Sequence, residues 1–162
     1  MPPGVRLALD VGTARIGVAR SDPHGILASP VETVKRVANS EEHVRRILQL
    51  MVEHEPVEVL VGYPIALSGR ETASTADAIE LAEQLAEHVD VPVFLVDERL
   101  STVTASAQLR STGRSPSRSR DRIDQVAAVV ILQQVLDANR SGRNPTLRRV
   151  PSSDSPGKEP RQ

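Results

Sequence analysis

The stretch Leu7–Ala19, LALDVGTARIGVA, carries one carboxylate, Asp10, at the end of an apolar run, then a glycine break and a second apolar run. Val5 to Asp10 and Ile16 to Ala19, on either side of Gly12-Thr13-Ala14, have the pattern of a β-hairpin. A carboxylate buried without a partner costs on the order of several kcal/mol. Asp10 therefore needs a use or a companion, and the elements around the hairpin decide which.

Working outward, a third extended segment covers Ile26 to Val34, weakened by Pro30. Ser40 and the acids after it open a helix in which Val44, Ile47, Leu48 and Met51 recur at helical spacing; it stops before Pro56. Val57 to Val61 is a short β-branched run ended by Gly62, and Val91 to Val96 is a second such strand. Between them Glu71 to His88 forms a helix with Ala78, Ile79, Leu81, Ala82, Leu85 and Ala86 on one face. Ser101 to Leu109 and Arg122 to Ala138 complete the helices. This order predicts an α/β fold: a mixed five-stranded sheet, with a three-stranded antiparallel start and then two αβ units, flanked by helices. Residues 1–138 are expected to form one domain. The segment 139–162, with four prolines and few apolar residues, is expected to be a disordered tail.

The chain has 162 residues and a net charge of −1, so no overall field draws it to nucleic acid or to an anionic membrane. Any nucleic-acid contact must come from a local patch. No cysteine is present, which removes disulfides, thiol nucleophiles and cysteine–zinc sites together. Neither a signal peptide nor a membrane span is evident, so a cytoplasmic location is expected. Tyr63 and Phe94 are the whole aromatic set, too few rings for a surface that grips single strands mainly by base stacking.

Asp10 has companions. Asp97 and Glu98 directly follow the strand ending at Val96, and Asp124 opens the last helix on the face of Ala127, Ala128, Ile131 and Leu132. In open α/β sheets, ligands bind beyond the carboxyl ends of the strands. Parallel strands would bring Asp10 and one of the Asp97/Glu98 pair out at one edge, where the last helix could deliver Asp124. Converging carboxylates repel, and a hard divalent cation such as Mg²⁺ or Mn²⁺ relieves the repulsion. Singly, each acid has a structural use: Asp10 as anchor of the Gly12 turn, Asp97 or Glu98 as ion-pair partner of Arg99, Asp124 as helix cap. Their arrangement together favours the metal.

The blocks LDVGTARIGVARSD, VGYPIALSG, VDERLST and IDQVAAVVILQ, in this order and spanning Leu9 to about Gln134, resemble the YqgF family, also called RuvX. The resemblance implies a ribonuclease H-like fold related to Holliday-junction resolvases of the RuvC type. It also implies a metal-dependent nuclease, most simply an endonuclease, that matures the 5′ end of 16S ribosomal RNA from its precursor. By motif, Asp10, Glu98 and Asp124 match the family's catalytic and metal-binding acids, with two ions expected when substrate is bound; the resemblance selects Glu98 over Asp97. One departure is visible: where the family often has LNMDG, this chain has IALSG, with Ala66 and Ser68 in place of Asn and Asp. Tyr63, Ser68 and Arg70 are candidate local replacements.

The stretch Arg110–Arg122, RSTGRSPSRSRDR, holds five arginines against one aspartate and is expected to be a mobile basic loop beside the acids. Arg110, Arg114, Arg118, Arg120 and Arg122, with Arg15 and Arg99, are the candidate phosphate contacts. The expected partner is precursor ribosomal RNA or branched DNA, bound by a monomer or a homodimer. Two rival classes remain open at this stage. One is a half-site of the actin–hexokinase ATPase fold, which also opens on DVGT but needs a second domain. The other is a non-catalytic nucleic-acid-binding module on the same scaffold.

Overall fold

The structure, a computed structural model, describes residues 3–63, 73–97, 116–142 and 147–151. β1 (Arg6–Val11) pairs antiparallel with β2 (Arg15–Ser21), and β2 antiparallel with β3 (Ala28–Lys35). On its other side β1 runs parallel to β4 (Glu58–Tyr63), which runs parallel to β5 (Val93–Asp97). A short β6 (Leu147–Arg149) closes the order β3-β2-β1-β4-β5-β6, antiparallel to β5. The helices are α1 (Glu42–His54), α2 (Ala73–His88) and α3 (Pro116–Arg140).

Strand alternation sorts the core into two layers. Leu7, Leu9, Ile16, Val18, Val59, Val61, Val93 and Leu95 face α1 and α2, meeting Val44, Ile47, Leu81 and Leu85. Ala8, Ala19, Ala28, Leu60 and Val96 face α3, meeting Ala128, Ile131, Leu132, Val135 and Leu136. The sheet's α3 side is rich in alanine, at Ala8, Ala19 and Ala28, and the helix meets it with mostly larger aliphatic residues. α1 ends at Glu55, whose left-handed backbone (φ 48°) lets its N–H reach the Met51 carbonyl at 2.9 Å; Pro56 then forbids continuation.

The predicted strands β1, β2, β4 and β5 and the first two helices are present, and three expectations change. The sheet has six strands, not five. The domain does not stop at 138: α3 runs to Arg140, and Leu147–Arg149 forms β6, so these residues are not a disordered tail. Leu147 joins the α3-side core, and buried Val150 joins the other side with its N–H on the Val93 carbonyl at 2.8 Å. Two apolar anchors among arginines and prolines are too few to show a period. Third, α3 begins at Pro116 rather than Arg122, so the second half of the arginine-rich stretch is helical. Proline at a first helical position costs no hydrogen bond, because that N–H has no intrahelical acceptor. β3 tolerates Pro30 because it is an edge strand with a register shift opposite Val18/Ala19. The expected Ser101–Leu109 helix lies outside the described residues.

At the amino end of the parallel strands, Arg6 pairs in register with Glu58. The Arg6 side chain is 1% exposed; its Nε lies 3.7 Å from the Glu58 carboxylate, and its Nη1 donates to the Gly4 carbonyl at 2.8 Å. Burial lowers the arginine pKa from its ordinary value, and the Glu58 charge opposes that. Removing one partner of a buried pair leaves the other charge uncompensated. Glu58→Ala is therefore expected to lower unfolding stability by about 3 kcal/mol, read from the urea midpoint. The far edge of the sheet should be undisturbed.

Candidate active site at the carboxyl end of the parallel strands

The cross-strand register places one row of residues under the start of α3. Thr33 on β3 pairs with Gly17 on β2, Gly17 with Asp10 on β1, Asp10 with Gly62 on β4, and Gly62 with Val96 on β5. Gly17 lies between Ile16 and Val18, which face α1 and α2, so its position belongs to the α3 face. Asp10 and Gly62 alternate with Leu9 and Val61 in the same way. Asp10 thus stands half-buried on the α3 face, with a glycine on each neighbouring strand. Neither neighbour puts a side chain against the carboxylate.

The turn that follows Asp10 is held from two sides. Gly12 N–H donates to the Arg15 carbonyl at 2.8 Å, and a Cβ on Gly12 would come within 2.9 Å of that oxygen, so no larger residue fits without movement. From the end of β3, Arg36 Nη1 donates to the Gly12 carbonyl at 2.8 Å, and its backbone N–H to the Ala14 carbonyl at 2.9 Å. The same guanidinium grips Asp77 of α2 through two bonds, at 2.6 and 3.0 Å. Arg36 therefore ties the turn after β1, the end of β3 and the first turns of α2 together. Its hydrogen bond to Asp77 holds that carboxyl below the usual aspartate range, against the opposing effect of burial. Buried His43 lies within their field, and burial lowers its pKa.

α3 is pinned over the row by its glutamines. Gln125 Nε2 donates to Thr33 Oγ1 at 2.9 Å. Two turns on, Gln133 accepts from the Ala28 N–H and donates to the Ile26 carbonyl, both at 2.9 Å. The helix thus runs antiparallel to β3 and to β1, with Gln125, in its third turn, over the row that holds Asp10 and the turns before it running on past that edge. Position 124 precedes Gln125 and shares the stripe of Ala128 and Ile131, which pack on this face.

Among the sequence candidates, the structure brings Asp10, Arg15 at the start of β2, and helical position 124 to one end of the sheet. Arg118, Arg120 and Arg122 occupy the first turns of α3, upstream of position 124. Asp97 ends β5 opposite Tyr63. Glu98, Arg99, Arg110, Arg114, Ala66, Ser68 and Arg70 lie outside the described residues. Sequence reasoning missed Gly17 and Gly62 as flanks of Asp10, the Arg36–Asp77 clamp, and the Gln125–Thr33 pin. The glycines were visible, but their pairing with Asp10 depends on register between strands.

A mixed sheet of this order, with an acid at the carboxyl end of its first strand and a long helix laid across that face, has the architecture of a ribonuclease H-like fold. Solved structures agree on the fold: Thermus thermophilus RuvC in complex with Holliday junction substrate is 19% identical, with a TM-score of 0.57 over 88% of this chain and 99% of that chain. The human cytomegalovirus terminase nuclease domain is 12% identical, with a TM-score of 0.54 over 90% of this chain and 88% of that one. The model of the RuvX family, described as Holliday junction resolvase, matches residues 4–138, and the chain belongs to that family. Relatives from Clavibacter michiganensis (54% identical over 91% of this chain and 92% of theirs) and Streptomyces coelicolor (53% over 88% and 86%) carry the name "Putative pre-16S rRNA nuclease".

Two outcomes are expected. Gly62→Ala adds one methyl beside Asp10; the fold should survive, at a cost of about 1–3 kcal/mol, while cleavage slows about tenfold or more, since misplacement at a reacting centre is costly. Thermal melting and single-turnover cleavage separate the two. Asp77→Asn tests the clamp by pH. Because the folded pKa of Asp77 is depressed, its stabilisation is fully present above the unfolded value of about 4. It is lost as pH falls through the folded value. The stability gap between wild type and Asp77→Asn, measured by urea unfolding, should be constant near neutrality and close as pH drops below about 4.

Proposed function

We propose that this protein is a divalent-metal-dependent endonuclease that hydrolyses phosphodiester bonds in the maturation of the 5′ end of 16S ribosomal RNA, acting in the cytoplasm. The observation that carries the reading is the half-buried Asp10 between Gly17 and Gly62, at the carboxyl edge of parallel strands and beneath a pinned helix start. The ligands proposed are Asp10, Glu98 and Asp124. Phe94 and Val96 lie on the α3 face with Ala8, and the family motif selects Glu98 over Asp97.

This donor set is all oxygen and anionic, which fits Mg²⁺ or Mn²⁺, with two ions when substrate is present. Ions bound there would supply an activated water and charge stabilisation for in-line displacement at phosphorus. The chain's own residues do the rest. Asp10 fixes the site to a rigid strand, and its glycine flanks leave space for the scissile phosphate. Arg36 keeps the following turn in place. Arg118, Arg120 and Arg122, with Arg15, Arg99, Arg110 and Arg114, supply the positive charge that positions the substrate backbone.

The test compares cleavage of a labelled precursor ribosomal RNA and a four-way DNA junction in Mn²⁺, Mg²⁺ or EDTA. The RNA should be cut only with metal. Asp10→Asn should fold normally and lose more than the roughly 10–100-fold that removal of a group outside the ligand shell costs. Cleavage of the junction alone would replace this substrate assignment with a resolvase. Wild-type rates from Asp10→Asn would overturn the site.

A further inference from the structure

The row that holds Asp10 ends, at its outer side, on a strand of three residues. It runs from Asp10 to Gly62 on β4, Val96 on β5 and Leu147 on β6. Val96 thus stands two strand spacings from Asp10, about 10 Å, and the proposed ligand Glu98 follows it by two residues. The placement of β5 relative to β1 therefore governs how the two acids can meet. α3 rests mainly on β1, β2 and β3, so the fixing of β5 falls to β4, α2 and β6.

β6 grips β5 on both faces and through the backbone. Leu147, opposite Val96, packs with the α3-side core, and buried Val150 packs with the core on the other face. The Val150 N–H donates to the Val93 carbonyl at 2.8 Å, and between these anchors Arg148 and Arg149 pair with Leu95 and Phe94. The match to the RuvX family ends at residue 138, so this grip lies beyond it.

We propose that β6 is a strap, with Leu147 and Val150 as positioning residues, that holds the end of β5 so that Glu98 can share a metal with Asp10. The proposal rests on the metal-dependent nuclease reading and extends it to residues that touch neither ion nor substrate. An open edge strand keeps its outward N–H and C=O groups unpaired, and nothing on that side restrains its end. A misplacement of about 1 Å at a reacting centre is costly. Covering an edge also guards against strand addition. The two roles part at the metal, because edge cover alone leaves ion affinity unchanged when the strap is loosened.

The experiment titrates Mn²⁺ into the full chain without substrate, well below the melting temperature, and follows the electron paramagnetic resonance signal of the free ion. Leu147→Ala, and Val150→Pro, which removes the N–H bonded to Val93, should each weaken binding about tenfold, as loss of support outside the ligand shell does. Asp10→Asn, which removes a ligand, should weaken it further. Amide exchange should quicken at Val93–Asp97 and stay unchanged in β1. Leu147→Met, a swap of similar volume, should restore the affinity. Met51→Ala, in the core under α1, should lower the melting temperature and leave the affinity as it is. Wild-type Mn²⁺ affinity from both strap variants, with only the melting temperature lowered, would show that β6 merely closes the edge and would overturn the proposal. An equal loss of affinity in Met51→Ala would also overturn it, by tracing the effect to stability. Wild-type affinity from Asp10→Asn would overturn the metal site itself, and the strap's role with it. If Mn²⁺ binding follows the strap but no RNA is cut, the nuclease reading fails while the strap stands.

Discussion

The constraint on which the structure turns is a carboxylate on a central strand, facing the helix that covers that side of the sheet. A half-buried Asp10 cannot be surrounded by apolar side chains without a desolvation penalty, and the fold meets this by placing glycine on both flanking strands. That choice has a consequence for packing. Glycines at Gly17 and Gly62 leave the sheet's α3 face thin at its carboxyl edge, whereas further down Ala8, Ala19 and Leu60 are sealed by Ala128, Ile131 and Leu132. The helix is held over the sheet by polar bonds from Gln125 to Thr33 and from Gln133 to Ala28 and Ile26, and between them by apolar contact. Space at the edge and closure below it arise from one alternation pattern.

Charge is distributed along the parallel strands with similar economy. At the amino edge, Arg6 and Glu58 neutralise one another inside the fold, so that end of β1 and β4 is inert. At the carboxyl edge, Arg36 is committed to Asp77 and to the Gly12 carbonyl. Its charge is largely spent on holding the turn. The clamp also couples β3 and α2 to the residue pair that follows Asp10. A shift of α2 would therefore be felt at the acid through two hydrogen bonds rather than through loose packing.

Much of this architecture was legible in the sequence. The hairpin around Gly12, the first two helices and the strands β4 and β5 follow from apolar period and punctuation, and Asp10 stood out because a charge interrupted that period. The fate of residues 116–122 and 147–149 was not legible, for different reasons. Serine, arginine and proline carry a loop signature by composition, yet Pro116 suits a helix start, and the helix is stabilised downstream where its apolar face packs. β6 draws its order from the open edge of β5 and from two anchors, Leu147 and Val150, a tertiary cause with no local signal. Within the site, acids could be recognised by type, but the glycine flanks, the Arg36 clamp and the Gln125 pin depend on which strands lie side by side.

The near-neutral composition acquires meaning once these arginines are placed. A net charge of −1 gives no long-range pull on a polyanion, so recognition has to rest on where the positive residues sit. The fold puts one group on the first turns of α3 and another on β6, on opposite sides of the edge that carries Asp10. A carboxylate such as Asp10 at that edge would by itself repel a bare phosphate backbone, and positive residues elsewhere on the surface would have to offset that repulsion. Salt screens exposed charges beyond about 10 Å at moderate ionic strength, so a surface arginine would act only on groups that come close to it. Binding then depends on the geometry of the edge more than on the charge of the whole chain.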